Sequence, residues 1–326
     1  MRAYVITAPD APPEFRDVPT PAVGPSEVLV RIQASSINPV DSLVSGGYFS
    51  KVQEHHYGTP FGRDLCGVVE QIGDAVTRFS VGQTVWGFVK RPYVGDGTFA
   101  EYVSVPEDRY IAAKPASQSI IEAGAMGLAA VTALDCLDVL GMVKGDALLV
   151  NQATGGVGSF VVQIAAARGL RIIATARPGE SEAYIRALGA DEVVDWTSDV
   201  ASAVRALRPD GVDGLVDLVR RDSITHAGMD LSDAQHSTAQ FAASVLRPAA
   251  KFSSAINAVS PELVAAGVGF NVHSWPEPAR FEVINQLVEA GSLRTPVTAV
   301  FPFDRIADAF EHQKAAGRGK TALSME

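Results

Sequence analysis

The sequence is short of cysteine, of positive charge and of long apolar runs. Cys66 and Cys136 are the only cysteines in 326 residues. Two thiols so far apart exclude a disulfide framework and a thiolate-rich structural zinc site, which needs short ligand spacings. Lys and Arg number 27 against 37 Asp and Glu, a net charge of −10. Sequence-independent nucleic-acid binding needs clustered positive charge and is not expected. The most apolar window, 120–134, is broken by Glu122 and Gly124 and is too short to span a bilayer. The first residues run into Pro9, Pro12 and Pro13 without an apolar core. No secretory leader or membrane span is therefore expected, and a cytoplasmic protein is.

What is present fits an ordinary globular chain, 47% apolar and 20% charged. At about 150 residues per domain the length suggests about two domains. The first third reads as strands at 27–33, 67–72 and 99–105, cut short by Gly73, Gly82, Gly87, Pro92, Gly95 and Gly97. The pattern changes at 120–140, an Ala/Leu-rich stretch that suits helices. Beyond it strand and helix signals alternate: strands at 147–150, 171–175, 193–194 and 214–218, helices near 160–165, 183–188 and 200–207. That alternation predicts a doubly wound parallel sheet. After about 270 the pattern changes once more, with a helical face at Phe281, Ile284, Leu287 and Val288, an extended 295–301 and a last helix around Ile306, Ala309 and Phe310. The reading is an α/β Rossmann domain at 118–271 and a β-rich domain at 1–117 completed by 272–326.

The strongest local signal is the turn Ala153, Thr154, Gly155, Gly156, Val157, Gly158, which follows the apolar run 147–150 and opens a helix. It matches A-x-G-x-x-G, with Ala153 where the first glycine of the dinucleotide fingerprint stands. Gly155 lets backbone approach a pyrophosphate, Gly158 allows close packing of the helix, and the helix N-terminus offers free N–H groups to phosphate. The residues after the second strand of this domain, Ala176, Arg177 and Pro178, lack the carboxylate that binds a ribose 2′-hydroxyl. A guanidinium at Arg177 suits a 2′-phosphate instead, which points to NADPH.

These motifs, taken in order, resemble the medium-chain dehydrogenase/reductase superfamily and its zinc-free quinone oxidoreductase (zeta-crystallin-like) branch. The resemblance rests on Ser36, Ile37, Asn38, Pro39, Val40 and Asp41, and on the run 62–69. It rests also on Gly97 through Tyr102, the glycine-rich turn, the run 188–195 and the ending Gly319, Lys320. It implies a GroES-like catalytic domain built from both chain ends around the Rossmann domain, and a homodimer. Zinc-dependent relatives carry Gly-His-Glu where this chain has Gly62, Arg63 and Asp64, so a histidine ligand is missing. His55 and His56 lie in a polar loop and read as exposed, and no metal site is assembled.

The resemblance implies site residues. Asn38 has a family counterpart beside the nicotinamide and would donate to a developing enolate or hydroquinone anion. Asp41 reads mainly as ordering that loop, and Tyr48, after Gly46 and Gly47, as a hydroxyl donor or a packed aromatic. Thr132, Phe270 and Asn271 fall in segments near the nicotinamide. Many NADPH-using relatives keep a lysine where Ser181 stands, flanked here by Glu180 and Glu182, which leaves charge recognition to Arg177. Trp196 reads as flanking the adenosine phosphate or as a packed strand-end aromatic. Lys320 reads as a surface or strand-end residue. The implied activity is hydride transfer from NADPH to a quinone or an α,β-unsaturated carbonyl. An enoyl reductase of secondary or polyketide metabolism and a non-catalytic NADPH-binding protein remain as alternatives.

Overall fold

A computed structural model describes residues 1–9, 11–50, 53–219 and 232–325. Two compact units result, Met1–Val131 with Trp275–Glu326, and Thr132–Ser274.

The first unit opens with a small antiparallel pair, β1 (Arg2–Val5) and β2 (Glu14–Asp17). Its main sheet is built on β3 (Glu27–Ile37), which pairs antiparallel with β4 (Asp64–Ile72) and β6 (Tyr102–Pro106). β5 (Thr84–Phe88) joins β4 to β7 (Ile111–Ala113). The short helix α1 (Pro39–Ser45) starts at Asn38 immediately after β3, with Pro39 in its first turn, where a missing N–H costs nothing. Val28, Val30, Ile32, Leu65, Val69, Val85 and Val103 from alternate strand positions form one core cluster. α2 (Ile120–Gly124) begins at Ser119, whose hydroxyl accepts from Glu122 N while Glu122 reaches back to Ser119 N, a capping box. α2 packs on β3 and β4 with Ala123 and Gly124 buried. The first unit therefore runs on to Val131 instead of stopping at 117.

α3 (Gly127–Asp138) leads into the second unit, a six-stranded parallel sheet. Its strands are β8 (Ala147–Asn151), β9 (Arg171–Ala176), β10 (Glu192–Asp195), β11 (Val212–Asp217), β12 (Leu246–Ser254) and β13 (Gly269–Asn271), in the order β10-β9-β8-β11-β12-β13. Numbered within the unit this is 3-2-1-4-5-6, the doubly wound order, whose ligand position is the carboxyl end of the first strand. Every residue of β8 is buried, as a central parallel strand requires. The helices are α4 (Gly156–Ala167), α5 (Glu180–Ala187), α6 (Val200–Leu207), α7 (Ser232–Val245) and α8 (Pro261–Ala265). Leu149, Ile173, Leu215, Val245 and Phe252 anchor their packing on the sheet. The unit ends at Ser274 and not 271, because Val272 N donates to Ser254 O and continues the β12–β13 pairing.

The chain then returns to the first unit through α9 (Pro278–Glu289), β14 (Val297–Pro302), α10 (Ile306–Ala316) and β15 (Lys320–Ser324). β15 pairs antiparallel with β3 and parallel with β14, so the last strand lies beside residues 34–37. On α9, Phe281, Ile284 and Val288 are buried, and Leu287, expected on the same face, is half-buried.

Candidate functional site

The end of β3, the start of β4 and the start of β15 converge on a buried polar cluster in the first unit. Asp64 is fully buried. Its Oδ2 accepts from Ser36 Oγ at 2.6 Å and Asn38 Nδ2 at 2.8 Å, and lies 3.3 Å from Lys320 Nζ. Its Oδ1 accepts from Leu128 N at 2.7 Å, in the first turn of α3. A helix N-terminus favours a carboxylate there. Gly127 makes the approach possible: a Cβ would lie 2.4 Å from Gly87 O and 2.8 Å from Asp64 Oδ1. Lys320 Nζ donates to Asn38 Oδ1 at 2.6 Å. A buried ion pair is stable when further hydrogen bonds satisfy it, and this one is so satisfied.

These contacts fix the Asn38 amide chemically. An ammonium only donates and a carboxylate only accepts, so Oδ1 must face Lys320 and Nδ2 must face Asp64. The second Nδ2 hydrogen has no acceptor among the described residues. Asp41 holds the backbone: its Oδ2 accepts from Asn38 N at 2.8 Å across the first turn of α1. Burial pushes the Asp41 carboxyl up to about 7, against the pull of the Arg63 guanidinium. Tyr48 lies just beyond α1 with its ring edge-on to Phe49 at 4.8 Å.

Lys320 is thus buried and part of this cluster, at 3% exposure, and is no surface residue. The sequence contained it, Asp64 and Ser36 inside family-like motifs, but nothing local showed that residues 256 apart meet. Only the pairing of β15 with β3 brings them together.

In the second unit the glycine-rich turn leaves the carboxyl end of β8. Gly155 is the N-cap of α4. A Cβ on Gly158 would lie 2.4 Å from Gln152 O and 2.7 Å from Ala153 Cα, so the first turn of α4 packs directly on the loop backbone. A Cβ on Gly155 would have no protein atom closer than 3.6 Å, an ordinary contact that leaves room for a methyl. The left-handed residue of the turn is Gln152, at φ 63°, and Ala153 behind it is fully buried. Gln152 N donates to Thr175 Oγ1, Thr175 Oγ1 to Asn151 Oδ1, and Asn151 Nδ2 to Asp217 Oδ1. This chain ties β9, β8 and β11 together under the turn, and the sequence reading had not singled it out. Thr154 O accepts from Ser159 Oγ, and Gly156 and Val157 open α4.

Arg177 follows β9 and Trp196 follows β10, strands paired in register at Ala176 and Asp195. The guanidinium carbon sits 4.7 Å from the Trp196 ring centroid, and both side chains are exposed. Ser181 is the second residue of α5 and half-buried, between Glu180 and Glu182. Thr132 is buried in α3. Phe270 lies in β13, under Lys251 at 5.7 Å. Both ends of the Asn271 amide are committed to the Val259 backbone, at 3.0 and 2.8 Å, so that side chain braces a loop. The residues of the turn, with Arg177 and Trp196, fit a dinucleotide.

His55 and His56 are half-buried and not freely exposed, since His55 stacks on Tyr57 and His56 on Tyr93, the latter at 3.9 Å. Burial pushes both thiols, Cys66 and Cys136, up to about 12. Among the described residues no three His, Cys, Asp or Glu side chains converge as metal ligands. No helix among them is long and apolar enough to cross a membrane.

The family model for the alcohol dehydrogenase GroES-like domain matches residues 24–116, and that for zinc-binding dehydrogenase matches 188–323. Among the described residues no donor set for a zinc is assembled: Arg63 and Asp64 stand where zinc-dependent relatives carry His and Glu, and Asp64 is spent on four donors. The mouse NAD(P)H oxidoreductase RTN4IP1, mitochondrial, is 28% identical, over 92% of this chain and 82% of its own length. The 2-methylene-furan-3-one reductase of Solanum lycopersicum is 29% identical, over 94% and 74%. The crystal structure of a Pseudomonas syringae pv. Tomato DC3000 quinone oxidoreductase superposes with a TM-score of 0.80 at 25% identity, over 99% of this chain and 100% of its own. By its two family matches, its strand order and these likenesses over more than nine-tenths of its length, the chain belongs to the medium-chain dehydrogenase/reductase superfamily, in its quinone oxidoreductase-like branch.

Proposed function

We propose that the protein is a zinc-independent, NADPH-dependent reductase of electron-poor acceptors, quinones or α,β-unsaturated carbonyls. The observation that carries the reading is the Asn38 amide, locked between Lys320 and Asp64 with one N–H left to donate. When bound, the nicotinamide supplies the hydride. The chain's own part is to receive the charge that develops on the acceptor oxygen. A preorganised donor costs no reorganisation at that moment, and loss of one such donor typically lowers rate by about 100- to 1000-fold. Lys320 at Oδ1 polarises the amide and strengthens its N–H donation. Asp41 keeps the Asn38 backbone in place.

Arg177 supports NADPH, through the absence of a carboxylate at 176–178 and the guanidinium on the Trp196 ring. The likeness to the mouse NAD(P)H oxidoreductase, the tomato 2-methylene-furan-3-one reductase and the Pseudomonas quinone oxidoreductase is consistent with this chemistry.

The test follows absorbance at 340 nm with NADPH or NADH and, in turn, 1,4-benzoquinone, 9,10-phenanthrenequinone and a simple enone, with and without chelator. NADPH oxidation that chelator leaves unchanged is the expected result. Activity that chelator abolishes and zinc restores would overturn the zinc-independent reading. NADPH binding without turnover across the panel would favour a non-catalytic role.

A further inference from the structure

A pocket open to solvent lies beside α1 in the first unit. Phe61, Arg63, Lys90, Arg91 and Tyr93 line it, with Asp41 at its inner end. Three cations against one carboxyl is an unusual wall in a chain of net charge −10. The carboxyl offsets only part of that charge, because burial favours its neutral form.

The cations differ in what they already do. Arg91 donates to the carbonyls of Asp96 and Ser104. The Lys90 ammonium sits 4.1 Å above the Trp275 ring centroid. Tyr93 is bonded to Asp96 at 2.9 Å. The Arg63 guanidinium alone of these makes no hydrogen bond or ion pair to any described residue, although the residue is half-buried and Asp41 and Asp64 act on it through space. None of its side-chain nitrogens is both fully buried and without a partner. A half-buried guanidinium with open donors is costly unless something pairs with it.

We propose that this pocket binds the carboxylate of an acidic acceptor, with Arg63 as its bidentate partner. The substrate class is then a small enone or quinone that carries a carboxylate, which rests on the reductase reading above. The guanidinium fork matches a planar carboxylate. One cation with open donors matches a monoanion, and the field of Lys90 and Arg91 adds to it without taking up its oxygens. Reduction itself needs only a conjugated acceptor; Arg63 would decide which acceptor is held.

The experiment compares trans-4-oxo-2-pentenoate with its neutral methyl ester, in the wild type and in Arg63→Gln and Arg63→Lys. Benzoate, with benzamide as the neutral control, is titrated calorimetrically into the same three proteins with and without NADPH. The expected result is a KM for the acid that rises about 10- to 100-fold in Arg63→Gln while the ester's changes less than threefold. Arg63→Lys should recover part of the loss, and benzoate but not benzamide should bind the wild type. Equal loss of kcat on acid and ester would overturn the proposal and make Arg63 a general oxyanion donor. A wild type that ignores benzoate would overturn it too. The titration reads the pocket even if no acceptor is turned over. Turnover of neutral acceptors without any preference for the acid would sink this proposal and leave the reductase reading intact.

Discussion

Lys320 Nζ donates to Asn38 Oδ1 at 2.6 Å, joining the start of the last strand to the residue that caps α1. Lys320 is also the cation nearest Asp64, which has no exposure to solvent. Removal of one partner of a buried pair leaves an uncompensated charge and costs about 3–5 kcal/mol. Lys320→Met should destabilise the protein by that order in urea denaturation. Lys320→Met with Asp64→Asn should recover much of it, since no charge is then stranded. The single variant also frees the Asn38 amide to rotate, so kcat should fall in whatever fraction stays folded. A Lys320→Met protein of wild-type stability would show that the pair is not buried as described.

Asp41 gives a pH dependence whose sign is fixed by its shift. Its carboxyl moves from 3.8 to about 7 through burial. The folded state therefore holds the proton more tightly than the unfolded state. The associated stability is fully present below about pH 4 and is lost as pH rises through about 7. The loss amounts to a few kcal/mol. Asp41→Asn keeps an oxygen for Asn38 N and has nothing to ionise. Its stability relative to wild type should improve between pH 5 and pH 8.5, measured by denaturant midpoints at both. A constant difference between the two proteins would show that Asp41 titrates normally.

The doubly wound half was legible in the sequence because its signals are local. An apolar run, a glycine turn and a helix lie within residues 147–167, and the structure has them as β8 and α4. α6 was readable for the same reason and spans Val200–Leu207. β12 and β15 escaped notice because their patterns are not local statements. β12 mixes Arg247, Pro248 and Lys251 with its buried positions, and β15 is five residues whose place depends on β3 and β14. The polar cluster follows the same division. Asn38 and Asp41 are three residues apart and readable as one ordered loop, whereas Lys320 and Asp64 meet only through the sheet.

The two glycines of the turn should separate packing from ligand approach. A Cβ on Gly158 would strike Gln152 O at 2.4 Å, a backbone atom that cannot swing away. Gly158→Ala should cost about 1–3 kcal/mol of stability and weaken NADPH binding together. Gly155 has its nearest neighbour at 3.6 Å, so Gly155→Ala should fold with a loss under about 1 kcal/mol. It should still weaken NADPH at least tenfold, because the methyl takes the space a pyrophosphate needs. Thermal melts and fluorescence titration of the two variants test this. Unchanged NADPH affinity in Gly155→Ala would remove the turn from the cofactor site.

The exposed pair after β9 and β10 should divide the cofactor preference between charge and surface. Arg177 is the side chain available there to pair with a 2′-phosphate, and a charge-assisted bond contributes about 1.5–3 kcal/mol. Arg177→Ala should therefore raise the NADPH dissociation constant about 10- to 150-fold while that of NADH changes less than threefold. Trp196 holds the guanidinium from 4.7 Å, an exposed contact of about 0.5–1 kcal/mol. Trp196→Ala should weaken NADPH only about two- to fivefold, through a less ordered Arg177. In the double variant the Trp196 effect should vanish, because the ring acts through the arginine. Titrations at 50 and 300 mM salt add a check: the wild-type preference for NADPH should shrink with salt, and that of Arg177→Ala should shrink less. Equal losses for NADPH and NADH in Arg177→Ala would mean that the guanidinium serves a group both cofactors share, and the NADPH assignment would fall with it.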